Sequence, residues 1–179
     1  MTYYGARQMA DSFRTVRKNT IALAEDIPAE QYDFRAAPGV RSVAELFAHI
    51  AVMPRWQVRV HGSSLAFIDF ETFGRNVARA ADEERLLRTK DDILAALRDG
   101  GEEFASFLET LSDEKLAEIV GFPPPVQPAT KTRFEMLLGV KEHEMHHRAQ
   151  LMLVQRLLGI VPHLTRQRDA MRAQATSRA

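Results

Sequence analysis

The segment His143-Glu144-Met145-His146-His147 puts two imidazoles, those of His143 and His147, four residues apart. Residues at that spacing are neighbours on a helix surface, so the pair can bind one metal ion together. His49 lies alone in another amphipathic segment and completes a candidate ligand set. Three neutral imidazoles leave coordination positions open, the pattern of a reactive site rather than a closed structural one. On a buried stripe the pair would otherwise be expensive, because each ring nitrogen needs a partner. A divalent cation supplies one, with zinc and nickel both suited to imidazole nitrogen. A hydrogen-bonded polar core is the alternative.

At about 100° per residue, Gln150 falls almost in line with His143 and is a candidate to support the ligands from behind. His146 sits roughly 60° to one side, as a fourth ligand, a proton donor or a boundary histidine. Glu144, about 100° off the histidine line, is expected to face solvent or another helix. Glu45 precedes His49 by one turn and is a candidate to orient it, although a helix-capping role already accounts for it. His143-Glu144-x-x-His147 also fits the H-E-x-x-H pattern of metalloproteases. That reading fails downstream, where no glutamate follows Glu144 and position 150 is Gln. His163 and Asp169, the remaining downstream donors, fall in a polar tail beyond Pro162.

Four segments with helical periodicity must position these residues. The first carries Met9, Phe13, Val16, Thr20 and Leu23, and ends before Pro28. The second opens on Ser42-Val43-Ala44-Glu45, a capping box, and continues with the stripe Leu46, His49, Met53, Trp56 and Val60. Pro54 inside it removes the amide that would bond to Ile50, and predicts a kink beside His49. The third starts near Thr89 and buries Ile93, Leu97, Phe104, Leu108 and Leu111. Its Gly100-Gly101 pair, at about 1 kcal/mol per glycine against Ala, implies either a close neighbouring helix or a kink. The fourth, residues 132 to 158, stops at Gly159 with Pro162 beyond. Its stripe of Met136, Val140, His143, His147, Gln150, Val154 and Leu157 is expected to point into the bundle.

Four helices without a strand pattern imply an all-α, four-helix bundle. Residues 62 to 88 form a long crossover between helices 2 and 3, with a short helix expected around residues 67 to 73. Such a crossover allows consecutive helices to run parallel. Pro123-Pro124-Pro125 marks a stiff, extended segment before the last helix.

The 179 residues fit a single domain spanning 1–179. The chain has no cysteine, which excludes disulfides, thiolate metal sites and a cysteine nucleophile. Lysine plus arginine equals aspartate plus glutamate at 24 each, so there is no basic footprint for nucleic acid. The basic residues Arg166, Arg168, Arg172 and Arg178 read as a solvated tail. Met1-Thr2-Tyr3-Tyr4-Gly5 lacks the features of a secretory signal, and no run approaches membrane-spanning length, so a cytoplasmic setting without membrane association is expected.

Two passages resemble the DinB-like superfamily of damage-inducible and thiol-transferase bundles. One runs from Ile27-Pro28-Ala29-Glu30-Gln31-Tyr32 through Pro38-Gly39 into Ser42-Val43-Ala44-Glu45-Leu46-Phe47-Ala48-His49. The other, His143-Glu144-Met145-His146-His147-Arg148-Ala149-Gln150, looks like that family's H-x-x-x-H-x-G-Q signature, with Ala149 where the signature has Gly. The resemblance implies an up-down-down-up bundle and a metal site of His49, His143 and His147 holding zinc, nickel or a similar ion. It also implies a homodimer. Characterised relatives include transferases and isomerases that use a low-molecular-weight thiol such as bacillithiol or mycothiol. A metal-activated thiol attacking a small-molecule electrophile is therefore the expected chemistry, with metal-dependent hydrolysis as its close variant. A non-catalytic metal-binding stress protein is the rival. Phe134, Leu138, Met145 and Met152 fall within about 40° of one another on the back of the fourth helix, a second apolar face that a dimer partner or a packed crossover would cover.

Overall fold

In the computed structural model of the chain, which describes residues 4–63 and 65–177, four long helices pack as a bundle. They are α1 (Ala6–Asp26), α2 (Val43–Gly62), α4 (Lys90–Glu109) and α6 (Arg133–Leu157). Neighbours around the bundle follow the order α1, α4, α2, α6, so α2 and α6 lie side by side. Three further helices decorate it: α3 (Phe70–Leu86), α5 (Asp113–Ala117) and α7 (His163–Thr176).

Local chemistry sets the ends of the two helices that carry the candidate metal ligands. At the start of α2, Ser42 Oγ accepts from the Glu45 amide and the Glu45 carboxylate accepts from the Ser42 amide. Thr132 and Glu135 repeat this box at the start of α6. At the other end of α6, Gly159 adopts a positive φ of 76°, and the amide of Ile160 donates back to Gln155 O.

The bundle interior is apolar at both ends and charged in the middle. One cluster gathers Leu23, Ile27, Phe47, Ile50, Ile93, Leu97 and Leu151, and the other Met9, Phe13, Phe104, Leu108, Leu137 and Val140. Between them lies an ion pair of Arg17 with Glu144, both side chains at most 4% exposed. Arg17 Nε and Nη2 donate to the Glu144 carboxylate at 2.9 to 3.1 Å, and Nη1 donates to Leu97 O at 2.8 Å. Its Nη2 also reaches Ile50 O at 3.3 Å. That carbonyl is the one Pro54 leaves without an amide donor, so the guanidinium occupies the gap that the proline opens. The glycine pair of α4 answers the same need. A Cβ on Gly101 would stand 2.8 Å from Arg17 Cγ, and one on Gly100 would stand 3.4 Å from Ala51 O. Close approach accounts for Gly101, Gly100 stands at ordinary contact distance, and α2 continues through Pro54 as one helix.

Several expectations need correction. The crossover contains a 17-residue helix, α3, where a short one was expected. Asp69 caps it, and Phe73 stands edge-on to Trp56 of α2, yet Phe73 and Val77 are exposed and only Ala80 is fully buried. A two-stranded antiparallel hairpin, β1 (Ile119–Gly121) with β2 (Thr130–Thr132), precedes α6, and the proline run lies at its tip. Each strand has three residues, too few to show alternation in the sequence. The supposed polar tail is α7. His163 is buried, with Nε2 3.3 Å from Asn19 Oδ1, and Arg166 pairs with Asp26. Arg178 lies outside the described residues. No helix among the described residues is long and apolar enough to cross a membrane.

Candidate metal centre

The α6 stripe is rotated from its expected position. The face turned into the bundle carries Arg133, Leu137, Val140, Glu144, Leu151, Val154 and Gln155. Glu144 is therefore a buried partner of another helix and not a solvated residue, because Arg17 supplies the charge that makes its burial tolerable. His143 and His147 lie on the flank beside α2, half-buried, while Gln150 is exposed. On α2, the inward row of Phe47, Ile50, Ala51 and Pro54 likewise leaves His49 at the edge, 15% exposed. The histidines thus meet in the seam between the two helices, reachable from solvent.

There the three imidazoles converge. His143 Nε2 is 3.1 Å from His49 Nε2 and 3.1 Å from His147 Nε2, and one nitrogen from each ring lies within 4.8 Å of the other two. Two nitrogens about 2.1 Å from one divalent ion stand about 3.0 to 3.4 Å apart at octahedral or tetrahedral angles, so the spacing suits a shared ion.

Hydrogen-bond accounting strengthens that fit. His49 Nδ1 is 2.7 Å from Glu84 Oε1, and a carboxylate only accepts, so the proton is on Nδ1 and Nε2 presents a lone pair. His147 Nδ1 is 2.9 Å from Gln150 Oε1, and the Gln150 amide NH2 faces His146 Nε2 at 3.3 Å. His147 Nε2 is therefore also a bare lone pair. A proton on His143 Nε2 can satisfy one of these two neighbours and leaves the other facing it unbonded. A cation at the centre satisfies all three. Burial, followed by the charges of His147 and His49, lowers His143 to a pKa of about 4, and burial also lowers His147. Both are neutral at pH 7, the form that coordinates metal.

The supporting residues differ from those expected. Glu45 does not reach His49: its carboxylate is shared between the Ser42 amide and the Arg35 guanidinium, at 2.5 to 2.8 Å. Glu84 of α3 takes that place, on a helix longer than the short one expected around residues 67 to 73. The available signal was periodic, since Glu84 continues the row Phe73, Val77, Ala80 one turn further on. Gln150 is exposed instead of turned into the bundle, and its Oε1 accepts from His147 Nδ1. His146 is exposed and contacts Gln150. Arg41, also missed, stands 3.8 Å from the second oxygen of Glu84.

Two grooves reach the triad from opposite directions along α6. One, of about 250 Å³, ends at His143 and is bordered by Met53, Gln57, Phe122, Lys131 and Met136. The other, of about 510 Å³, ends at His147.

The sequence profile of the DinB superfamily matches residues 12–151. No curated protein matches the chain. Among solved structures, a DinB-like protein of Bacillus subtilis is 23% identical, with a TM-score of 0.63 over 85% of this chain and 92% of its own. A DinB-like protein of Bacillus cereus is 17% identical, with a TM-score of 0.68 over 90% and 97%. YfiT from Bacillus subtilis, described as a probable metal-dependent hydrolase with an unusual four-helix bundle topology, is 18% identical, with a TM-score of 0.66 over 89% and 91%. At these identities the likeness speaks for the fold.

Proposed function

The chain belongs to the DinB superfamily, and from that membership and the geometry of its histidines we propose that it binds one divalent cation, zinc or nickel, through His49, His143 and His147. The observation that carries this reading is the set of converging Nε2 atoms, two of them bare lone pairs 3.1 Å from a third nitrogen. In this reading the bundle helices run up-down-down-up, the order that the α3 crossover permits. Bound there, the ion supplies Lewis acidity, since three neutral ligands leave its charge unneutralised. Glu84 and Gln150 fix the rings so that Nε2 is the ligand atom in His49 and His147.

The reaction we favour is transfer of a low-molecular-weight thiol, such as bacillithiol or mycothiol, to an electrophilic small molecule. The sulfur bonds to the electrophilic carbon as that carbon's bond to a halide or an epoxide oxygen breaks. The electron pair leaves with the halide or oxygen, and the thiol proton goes to solvent or to the alkoxide. Two grooves meeting at one triad suit two substrates, and Lys131, on the border of the groove that reaches His143, suits an acidic thiol. A cytoplasmic setting, where such thiols stay reduced, fits this reading. Hydrolysis is the second reading, favoured by the likeness to YfiT. Both contrast with a passive ion carrier, for which open grooves at the ion have no use.

The deciding experiment combines metal analysis of the purified protein with parallel assays. Stoichiometric metal, with thiol consumed alongside a generic electrophile faster than in buffer and faster than by His147→Ala, supports the transferase. Ester or amide cleavage without thiol supports the hydrolase. Metal without either activity returns the protein to the carrier class, and absence of metal after reconstitution overturns the site.

A further inference from the structure

We propose that the groove on the His147 side is a binding site for an amphipathic monoanion, a small molecule with an apolar body and one anionic head group such as a carboxylate. This deepens the reading above, on which it rests for its chemistry, by naming the class of the electrophilic co-substrate.

The groove runs from the loop before α2 to the C-terminal half of α6, and its volume of about 510 Å³ falls within the range of about 300–1,000 Å³ that holds a small molecule. Its walls are apolar: Ala36, Val40 and Leu46 on one side, Leu153 and Val154 on the other. Leu153 is 60% exposed and Val40 42%, apolar surface that a hydrocarbon body would cover.

Arg41 is the cation in that lining. Its nearest carboxylate oxygen, Glu84 Oε2, is 3.8 Å away, beyond hydrogen-bond range, and its side chain is 45% exposed. Glu84 spends its other oxygen on His49 Nδ1. The guanidinium therefore has donors free for a ligand. Its position is otherwise unfavourable, because a positive charge beside a cation site repels the ion. An anionic head group between Arg41 and the triad resolves this conflict, with the Gln150 amide at the same end of the groove. The apolar body then lies along Leu153 and Val40, and the His143-side groove with Lys131 is left to the thiol.

The test uses the metal-free full chain titrated with octanoate, octanol and octylamine, followed by calorimetry and by amide NMR shifts. Octanoate is expected to bind and to shift residues around Val40, Arg41 and Leu153, with octanol at least about tenfold weaker and octylamine not binding. Arg41→Glu should weaken octanoate by at least about tenfold, while Arg41→Lys retains most of the affinity. Leu153→Asp should remove binding with the thermal melt unchanged. Equal affinity for octanoate and octanol, no effect of Arg41→Glu, or no octanoate binding at millimolar concentration would overturn the proposal. His143→Ala separates it from the metal reading. Octanoate binding retained in that variant supports the groove whatever the fate of the ion. Binding seen only with zinc in the wild-type chain, and insensitive to Arg41→Glu, makes octanoate a ligand of the ion and sinks the groove alone.

Discussion

Two histidines of the triad are held from behind, His49 by Glu84 and His147 by Gln150, and the strength of that support sets how the site responds to substitution. His49→Ala should abolish stoichiometric binding in a metal analysis, since the remaining His143–His147 pair chelates far less well. Glu84→Ala should weaken metal affinity by about 10–100-fold in chelator competition, with the fold intact by circular dichroism. Glu84→Gln should weaken it less, because an amide oxygen still accepts from Nδ1. A second histidine gives a pH signature away from the site. His61 is 1% exposed; its Nδ1 accepts from Arg133 Nη1 at 3.1 Å, and its Nε2 donates to Gln57 Oε1. Burial, then the charges of Arg133 and Lys115, lower it from 6.5 to about 4. The unfolded chain therefore binds the proton first as pH falls. Stability contributed by neutral His61 is complete above pH 6.5 and is lost progressively toward pH 4, by about 3 kcal/mol at most. Urea midpoints between pH 7 and 4.5 should fall less in His61→Gln than in the wild type, and equal slopes would contradict this. The triad was legible because its spacing is local and helical. Glu84 was not, since it lies 35 residues from His49 on a helix with little buried surface.

At the level of elements, the ion pair at mid-bundle ties α1 to α6 and, through Leu97 O and Ile50 O, to α4 and α2 as well. Glu144→Ala would leave a buried guanidinium unpaired and should destabilise the protein by about 3–5 kcal/mol. The double variant Arg17→Met/Glu144→Leu should regain most of that in the same urea titration. Gly101→Ala should cost about 2 kcal/mol through contact with Arg17 Cγ, whereas Gly100→Ala should change stability by less than about 1 kcal/mol. The long helices were readable from the sequence because their caps and stripes agree, as at Ser42/Glu45 and Thr132/Glu135. The rotation of α6 was not. Periodicity points the histidine row inward, but a glutamate with a hidden arginine partner occupies that face, and no periodicity reveals such a pairing. The α3 helix and the hairpin escaped for the opposite reason, having too little buried surface or length to leave a pattern.

For the whole molecule, the second apolar face of α6 is largely taken up within the chain. Phe134 and Leu138 pack against the cluster of Met9 and Phe13, with Tyr4 edge-on to Phe134, and Met152 packs against the other cluster. Met145 alone of that set is exposed, at 43%. We propose a homodimer on the family resemblance, with no support from this face. Light scattering across micromolar concentrations should give twice the chain mass, and a constant monomer mass would overturn it. The placement of the ligands also bears on how the chain comes together. His49 and His143 are 94 residues apart, while His143 and His147 are one turn apart. An unfolded chain thus offers an ion at most a weak local pair, and the three-nitrogen site exists only after α2 has docked on α6. An ion bound there would act as a selective ligand of the native state, stabilising it by about 2.7 kcal/mol at a hundredfold excess over the dissociation constant and so raising the melting temperature. Loss of that concentration dependence in His49→Ala, with the unliganded melt unchanged, would show that metal uptake reports on the docking of two distant stretches of chain.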